Sequence, residues 1–251
     1  KSGPTAKSGI GTGCGTTQAP AHSENTILTV DLLPTASTGV INTSADGQIL
    51  LSGALEATAT ADAHDAILLG GLITADEVKA VSTITHDGTG FHTSAAGSEL
   101  LNLVVAGNVI AANTAPNTKI TLTGLGYVVI NEQITRARAT TASLTVNMIH
   151  VFITQTNVLN LKVGTQIIVS HAFSSLAGPG ISGTLDGSAY GTKANVAKTI
   201  ISGPTAQVSL PCKGTNGAVK QTEILHVQVP HLFSVGDVVD TAQGTINGTS
   251  A

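Results

Sequence analysis

From Thr26 onward, apolar and polar residues alternate in short runs, and Gly, Pro, Asn or Asp separates one run from the next. Alternation with period two is the mark of a strand with one face on a core and one toward water. ILTVDLL (Ile27 to Leu33) reads as a strand stopped by Pro34. STGVINTSADGQILLSGALEATATADA reads as one long bent strand, or as two strands with a turn at Asp46-Gly47. HDAILLGGLITADEVKAVSTIT predicts a strand, a Gly70-Gly71 turn and a second strand ended by Asp87-Gly88. Its TADEVKA portion also fits one helical turn, with Thr74 as N-cap and Glu77 three residues on.

Downstream, ELLNLVVAGNVI predicts a hairpin about Ala106-Gly107-Asn108, and TKITLTGLGYVVINEQI another with Gly124 and Gly126 at the bend. SLTVNMIHVFI alternates so that Leu144, Val146 and Met148 share one face and Val151 and Ile153 the other. VGTQIIVSHAF is similar, and LAGPGISGTLDGS (Leu176 to Ser188) reads as a Gly-rich loop. ILHVQVP and VGDVVDTAQGTI supply the last strands. Many short strands with turn signals every 8–12 residues or so predict an all-β fold. The expected architecture is an antiparallel β-sandwich, or a barrel-like sandwich, with long irregular loops and little helix.

A chain of 251 residues holds one large β domain or two modest ones. We read residues 1–25, rich in Gly, Ser, Thr and Pro, as an extended N-terminal arm. Residues 26–201 form the sandwich core, and residues 202–251 a C-terminal β segment, packed on that core or shared with a neighbouring subunit. A hydrophobic fraction of 41% and a mean hydropathy of +0.29 are ample for a core. Charged residues make up 10%, against about a quarter in ordinary proteins, and aromatics only 2%. A polar surface built from Thr and Ser suggests an extracellular or cell-surface protein. A net charge of −4, with no basic patch interleaved with aromatics, argues against nucleic acid. No apolar stretch approaches the ~20 residues of a membrane-spanning helix. Lys1 in first position is compatible with removal of a signal peptide, although none is visible.

The sequence partly repeats itself. SGPTA occurs at Ser2 to Ala6 and again, 200 positions on, at Ser202 to Ala206. Cys14 and Cys212 follow at an offset of 198, and ILTV (Ile27 to Val30) and ILHV (Ile224 to Val227) at 197. TGVINTSADGQ then matches VGDVVDTAQGTI, so about the first fifty residues resemble the last fifty. A weaker echo, around Val-Gly, links LKVGTQIIVSHA to LFSVGDVVDTAQ. The separation of Cys14 and Cys212 excludes a CxxC redox or zinc motif. Three states remain open for them: a bond within one chain, a bond between subunits, or two buried thiols. An intrachain bond closing so long a loop stabilises by at most about 5 kcal/mol.

LLGGLITADEVKAVSTIT, DGTG (Asp87 to Gly90), VVINEQI, LTVNMIHV and VGTQIIVSHA together resemble the choice-of-anchor P family of bacterial surface proteins. The likeness covers most of Leu68 to Ala172. It implies a secreted bacterial β-rich protein with no known catalytic activity. The family pattern places Cys just before the DGTG-like turn, where this chain has His86, and the family's sorting tail has no counterpart here.

Chemistry-bearing candidates are few. ADAHD brings Asp62, His64 and Asp65 into one short stretch with oxygen and nitrogen donors of the kind that hold zinc or calcium. Adjacent strand residues point to opposite faces, which weakens that reading. His150 and His171 fall within strand patterns and read as packed or surface residues. Glu56, Glu77, Glu99, Glu132 and Glu223 offer carboxylates for a glycosidase pair, but no aromatic sugar platform is evident. There is no G-x-S-x-G elbow, GIGTGCG is flanked by neither strand nor helix, and nothing calls for a cofactor.

The sequence therefore predicts a non-enzymatic structural subunit of an extracellular filament or biofilm matrix. Identical subunits join head to tail by strand donation from a terminal arm. The expected interface is Ile27, Leu28, Val30 and Leu32 with Ile224, Leu225, Val227 and Val229. The alternative is a monomeric surface adhesin that binds a glycan or protein through its loops.

Overall fold

The computed structural model describes residues 7–12, 21–28, 30–32, 36–52, 54–177, 185–196, 200–201, 207–210, 219–224, 227–229, 233–235 and 238–243. Cys14, Cys212 and Leu225 lie outside them, and with them the disulfide expectation. The strands run in chain order as β1 (Lys7–Thr12), β2 (Ala21–Ile27), β3 (Val30–Leu32), β4 (Ala36–Thr38), β5 (Ile41–Ile49), β6 (Leu55–Leu68) and β7 (Ile73–His86). Next come β8 (Phe91–Ser94), β9 (Glu99–Leu101), β10 (Val104–Val105), β11 (Asn108–Val109), β12 (Thr118–Leu122), β13 (Gly126–Ala137), β14 (Thr141–Ile153) and β15 (Gln166–Ala177). The rest are β16 (Leu185–Val196), β17 (Ile200–Ile201), β18 (Gln207–Leu210), β19 (Val219–Ile224), β20 (Val227–Val229), β21 (Phe233–Val235) and β22 (Val238–Gln243).

These strands form two sheets packed face to face, so the fold is an all-β sandwich. The first sheet runs β12-β13-β14-β15-β16-β1-β18. In the second, several short strands are halves of one bent strand. β2 with β3, β5 with β4, β22 with β21 and β19 with β20 each lie end to end along a common neighbour. The second sheet thus reads, from one edge, β19/β20, β22/β21, β2/β3, β5/β4, β6, β7, and then β8 with β9/β10. Among the described residues no helix is long and apolar enough to cross a membrane. Their only helical turn is Leu69–Gly71, which joins β6 to β7 as Gly70-Gly71 predicts.

The bend has a consistent position. In β4/β5 the inward residues Thr38 and Ile41 are three apart, as are Ala63 and Ala66 in β6, Ala75 and Val78 in β7, and Leu100 and Leu103 across β9/β10. Two outward residues separate each pair, which resets the in–out alternation along one transverse line. Asp65 and Asn102 sit on this line with φ of 51° and 52°. Asp and Asn tolerate that left-handed conformation better than most residues. Asn102 Nδ2 donates to Asp76 Oδ2 at 2.7 Å across it. The opposing sheet is creased too: Asn131 and Ser170 have φ of 52° and 53°, and the pairings Asn131–Met148 and Met148–Ser170 are skipped.

The crease overturns one sequence expectation, and strand pairing settles three other readings. Leu144, Val146, Met148, Ile149, Val151 and Ile153 all bury in one core, because Met148 and Ile149 both turn inward. Asp46-Gly47 is not a turn: it lies inside β5, paired with His22 and Ala21 on one side and with Thr58 and Ala57 on the other. TADEVKA is strand throughout, part of β7, as the strand reading of that stretch expects, and not a helical turn. The Gly-rich reading of 176–188 is also too wide, since Leu185 to Ser188 begin β16.

The core is built from Ile, Leu and Val on β13, β14 and β15 against an alanine stripe on β6. Ala57, Ala59, Ala61 and Ala63 are each fully buried on the inner face of that strand, which faces β15 and β16. Two buried serines tie the sheets together. Ser82 Oγ donates to Leu144 O at 2.9 Å and lies 2.7 Å from Ser174 Oγ, and Ser170 Oγ donates to Val78 O.

Candidate functional site

The structure brings the two repeat copies together as neighbouring strands. β2 pairs with β5 of its own copy at Ile27↔Ile41 and Glu24↔Ser44. On its other side it pairs with β22 at Ile27↔Val238 and Glu24↔Thr241. Val238 and Thr241 follow Ile41 and Ser44 by 197 positions, the offset of the ILTV repeat. β3 behaves likewise: Val30 pairs with Thr38 and with Val235, and Asp31 with Ser37 and with Ser234. The strand pair β2/β3 is therefore flanked on both sides by the same segment in the same register. In the other sheet β1 and β18 run parallel, Lys7 beside Gln207 through Ile10 beside Leu210, at the 200-residue offset of SGPTA.

Local chemistry explains why β2 fits this place. Its inward residues Asn25 and Ile27 are buried, Ile27 within the main core, and Leu28 beyond it is 63% exposed where the strand bends. Thr26 Oγ1 donates to Asn42 Oδ1 at 3.0 Å on the outer side, and Thr43 Oγ1 to Asn25 O at 3.4 Å within. Such cross-strand pairs fix register, since a one-residue slip would put Ile27 in water.

Of the expected interface residues, Ile27 and Val30 stand at the seam between the copies. Leu32 pairs with Ala36 inside the first copy. Ile224, Val227 and Val229 lie on β19/β20, one strand away from the seam. The C-terminal side of the seam is supplied by Ser234, Val235 and Val238 to Thr241, which the sequence reading passed over. The signal was present in the match of TGVINTSADGQ to VGDVVDTAQGTI.

The chain matches no protein-family model, and no curated protein or solved structure is detectably similar to it.

The metal candidates only partly converge. His64 Nε2 lies 3.6 Å from Asp62 Oδ1, on the outer face of β6. Asp65, turned by its left-handed backbone, sets its carboxylate against Gly39, where a Cβ would come within 2.9 Å of Oδ2. Among the described residues no three His, Cys, Asp or Glu side chains are grouped to hold a metal. Burial raises the Asp62 carboxyl above its ordinary value, with His64 and Lys79 opposing and Glu77 adding to the rise. Its Oδ1 is buried without a hydrogen bond.

A larger polar group sits on the outer face of the first sheet. Asn147 Nδ2 donates to Glu132 Oε2 at 2.5 Å, and His150 Nδ1 lies 2.8 Å from the same oxygen. His150 Nε2 is 3.3 Å from Gln166 Oε1, and His171 Nδ1 is 2.5 Å from Asn147 Oδ1. The His150 ring lies tilted against Phe152 at 3.9 Å, Phe152 stacks on Tyr127 at 4.7 Å, and Lys119 Nζ covers Tyr127 at 3.7 Å. An aromatic column thus exists where none was expected, but its rings pack against one another. Both ring nitrogens of His150 are engaged, by Glu132 and Gln166, and neither faces a hydroxyl. The crease aligns this group by turning Asn147 and His150 outward on either side of Met148 and Ile149.

Burial pushes the Glu132 carboxyl up, but the hydrogen bonds from His150 and Asn147 outweigh it and hold the group below its ordinary value. Glu132 therefore contributes stability above the ordinary carboxylate range that is lost as pH falls through its depressed folded value. Asp62 has the opposite sign: its ionised form opposes folding at neutral pH, and the penalty fades as pH falls through its raised value. Glu132→Gln is expected to lower the urea midpoint at neutral pH and Asp62→Asn to raise it. Both differences from the parent should shrink at about pH 3, where unfolded carboxylates are largely protonated.

Proposed function

We propose that this chain is a structural subunit of an extracellular bacterial filament or biofilm matrix. Copies join head to tail when the C-terminal repeat of one molecule docks beside β1 and β2/β3 of the next. The observation that carries this reading is the register of the seam. β21 and β22 of the same chain meet β2/β3 in the pairing that the first copy uses within itself, so the same segment of another copy fits that edge when it exchanges with the chain's own. A contact of this heterologous kind generates an open chain rather than a closed dimer. Main-chain hydrogen bonds supply affinity, as in other strand-addition complexes. Because β2/β3 is an interior strand and β19–β22 an edge hairpin, the C-terminal copy suits the role of donor better than the N-terminal arm. The Thr- and Ser-rich, charge-poor composition and the choice-of-anchor P resemblance support the extracellular setting.

Removing residues 202–251 is expected to abolish assembly while leaving a folded β-rich monomer, checked by electron microscopy and analytical ultracentrifugation beside the full chain. Filaments of uniform repeat from the truncated chain would sink the mechanism. A full chain that is monomeric at every concentration would favour the adhesin reading instead.

A further inference from the structure

The seam has a second consequence, which rests on the head-to-tail reading above. β19/β20 is the C-terminal copy of β2/β3. Val219–Ile224 and Val227–Val229 stand 197 positions after residues 22–27 and 30–32. β19 meets β22 at Ile224↔Val238 and Glu223↔Val239, the register in which β2 meets β5 at Ile27↔Ile41 and Thr26↔Asn42. β20 meets β21 at Val227↔Val235, as β3 meets β4 at Val30↔Thr38. The first copy uses both edges of its bent strand, one for β5/β4 and one for β22/β21. The second copy uses one edge, and among the described residues β19/β20 has no partner on the other.

We infer that the outer edge of β19/β20 is a second acceptor, and that its occupant is the β21–β22 segment of another copy of this chain. The argument is one of equivalence. An edge whose counterpart in the first copy accepts β22/β21 in a defined register presents the same backbone spacing and the same bend to that segment. An open edge of this kind templates further strand addition. Each docked C-terminal repeat thus recreates the site that it has just filled. A third β21–β22 segment would add beside β19/β20 with Val239 opposite Glu223 and Val235 opposite Val227.

Cysteine pairing in mixtures of full-length chains tests this, in a background where Cys14 and Cys212 are replaced by Ser. One mixture combines Glu223→Cys chains with Val239→Cys chains, and a short bifunctional thiol-reactive crosslinker, each arm alkylating one cysteine, then reports only contacts between molecules. The expected result is a crosslinked dimer. It should exceed by about tenfold the yield from Thr222→Cys with Val239→Cys, because adjacent strand residues face opposite sides. A second mixture, Thr26→Cys with Val239→Cys, reports head-to-tail docking on β2. A single chain carrying both Glu223→Cys and Val239→Cys should crosslink internally, which establishes that the pair is within reach. If the Thr26–Val239 mixture crosslinks and the Glu223–Val239 mixture does not, the second acceptor is refuted and head-to-tail docking stands. If neither crosslinks while the doubly substituted chain does, both readings fall.

Discussion

Gly126→Ala should destabilise this protein by about 3–5 kcal/mol, the range of severe single-site defects. Gly126 opens β13 with φ of +152°, and a Cβ there would lie 2.0 Å from Phe152 O and 2.9 Å from Thr154 N. Both atoms belong to the backbone of the neighbouring strand end, so no side-chain rotation relieves the clash. The strand must move, and with it Leu125, whose carbonyl accepts from Thr154 N at 3.0 Å. For a protein of this size the cost corresponds to roughly a 10 °C loss in Tm. Gly124, two residues earlier in the same bend, makes the control. Its φ is +75°, but nothing lies within 4 Å of an added Cβ. Gly124→Ala should cost only about 1 kcal/mol of backbone strain. Thermal unfolding followed by circular dichroism separates the two, and equal Tm values would show that the close approach at Gly126 is wrong.

Ala61→Leu should be nearly as damaging, at about 3 kcal/mol, the upper end of the usual overpacking range. Ala61 is the third of four alanines along the inner face of β6, all fully buried, and that face meets β15 and β16 of the other sheet. Small residues on one sheet let the other approach closely, and protein interiors pack too densely to take the added side-chain atoms without displacing their neighbours. Thr60→Leu, which places the same side chain on the outer face of the same strand, should change stability by less than about 1 kcal/mol. Urea unfolding midpoints measure both. A small loss for Ala61→Leu together with a large one for Thr60→Leu would mean that the two faces of β6 are assigned the wrong way round.

The fold class was legible because period-two alternation survives locally on each side of the crease. The hairpin turns were legible where a two-residue signal coincides with a real reversal. Ala106-Gly107 is such a case, with Val105 paired to Asn108 across it. Asp46-Gly47 carries an equally strong turn signal but is held straight by partners on both sides, which no local reading detects. The crease itself was hidden for a similar reason. The pattern resets where a left-handed residue of one strand lies beside extended residues of the next, and Ser170, unlike Asp65 or Asn102, belongs to a residue type that gives little warning of it. Val151 and Ile153 fall on the wrong face in the sequence reading because Met148 and Ile149 both turn inward, beside the left-handed Asn131 and Ser170 of the flanking strands.

The site was legible to a different degree. The repeat offsets of 200 and 197 in the sequence are the offsets between structurally equivalent strands at the seam. What the offsets could not convey was which strand of the second copy makes the contact. Similarity marks β19 and β20 as counterparts of β2 and β3, but in an antiparallel sheet a strand is flanked by its hairpin mate. The neighbour of β2 in the second copy is therefore the counterpart of β5, which is β22. The Glu132–His150–Asn147 group was missed because its members are far apart in the chain and meet only through the pairing of β13, β14 and β15.

The duplicated hairpin makes the width of the second sheet a counted quantity. Adjacent strands are about 4.8 Å apart, so one hairpin laid down in this register widens the sheet by roughly 9.6 Å. The side that faces outward afterwards is chemically the side that faced outward before. Under the proposed assembly, dimensions follow from the number of copies rather than from the length of any strand, as the length of a ruler follows from its divisions.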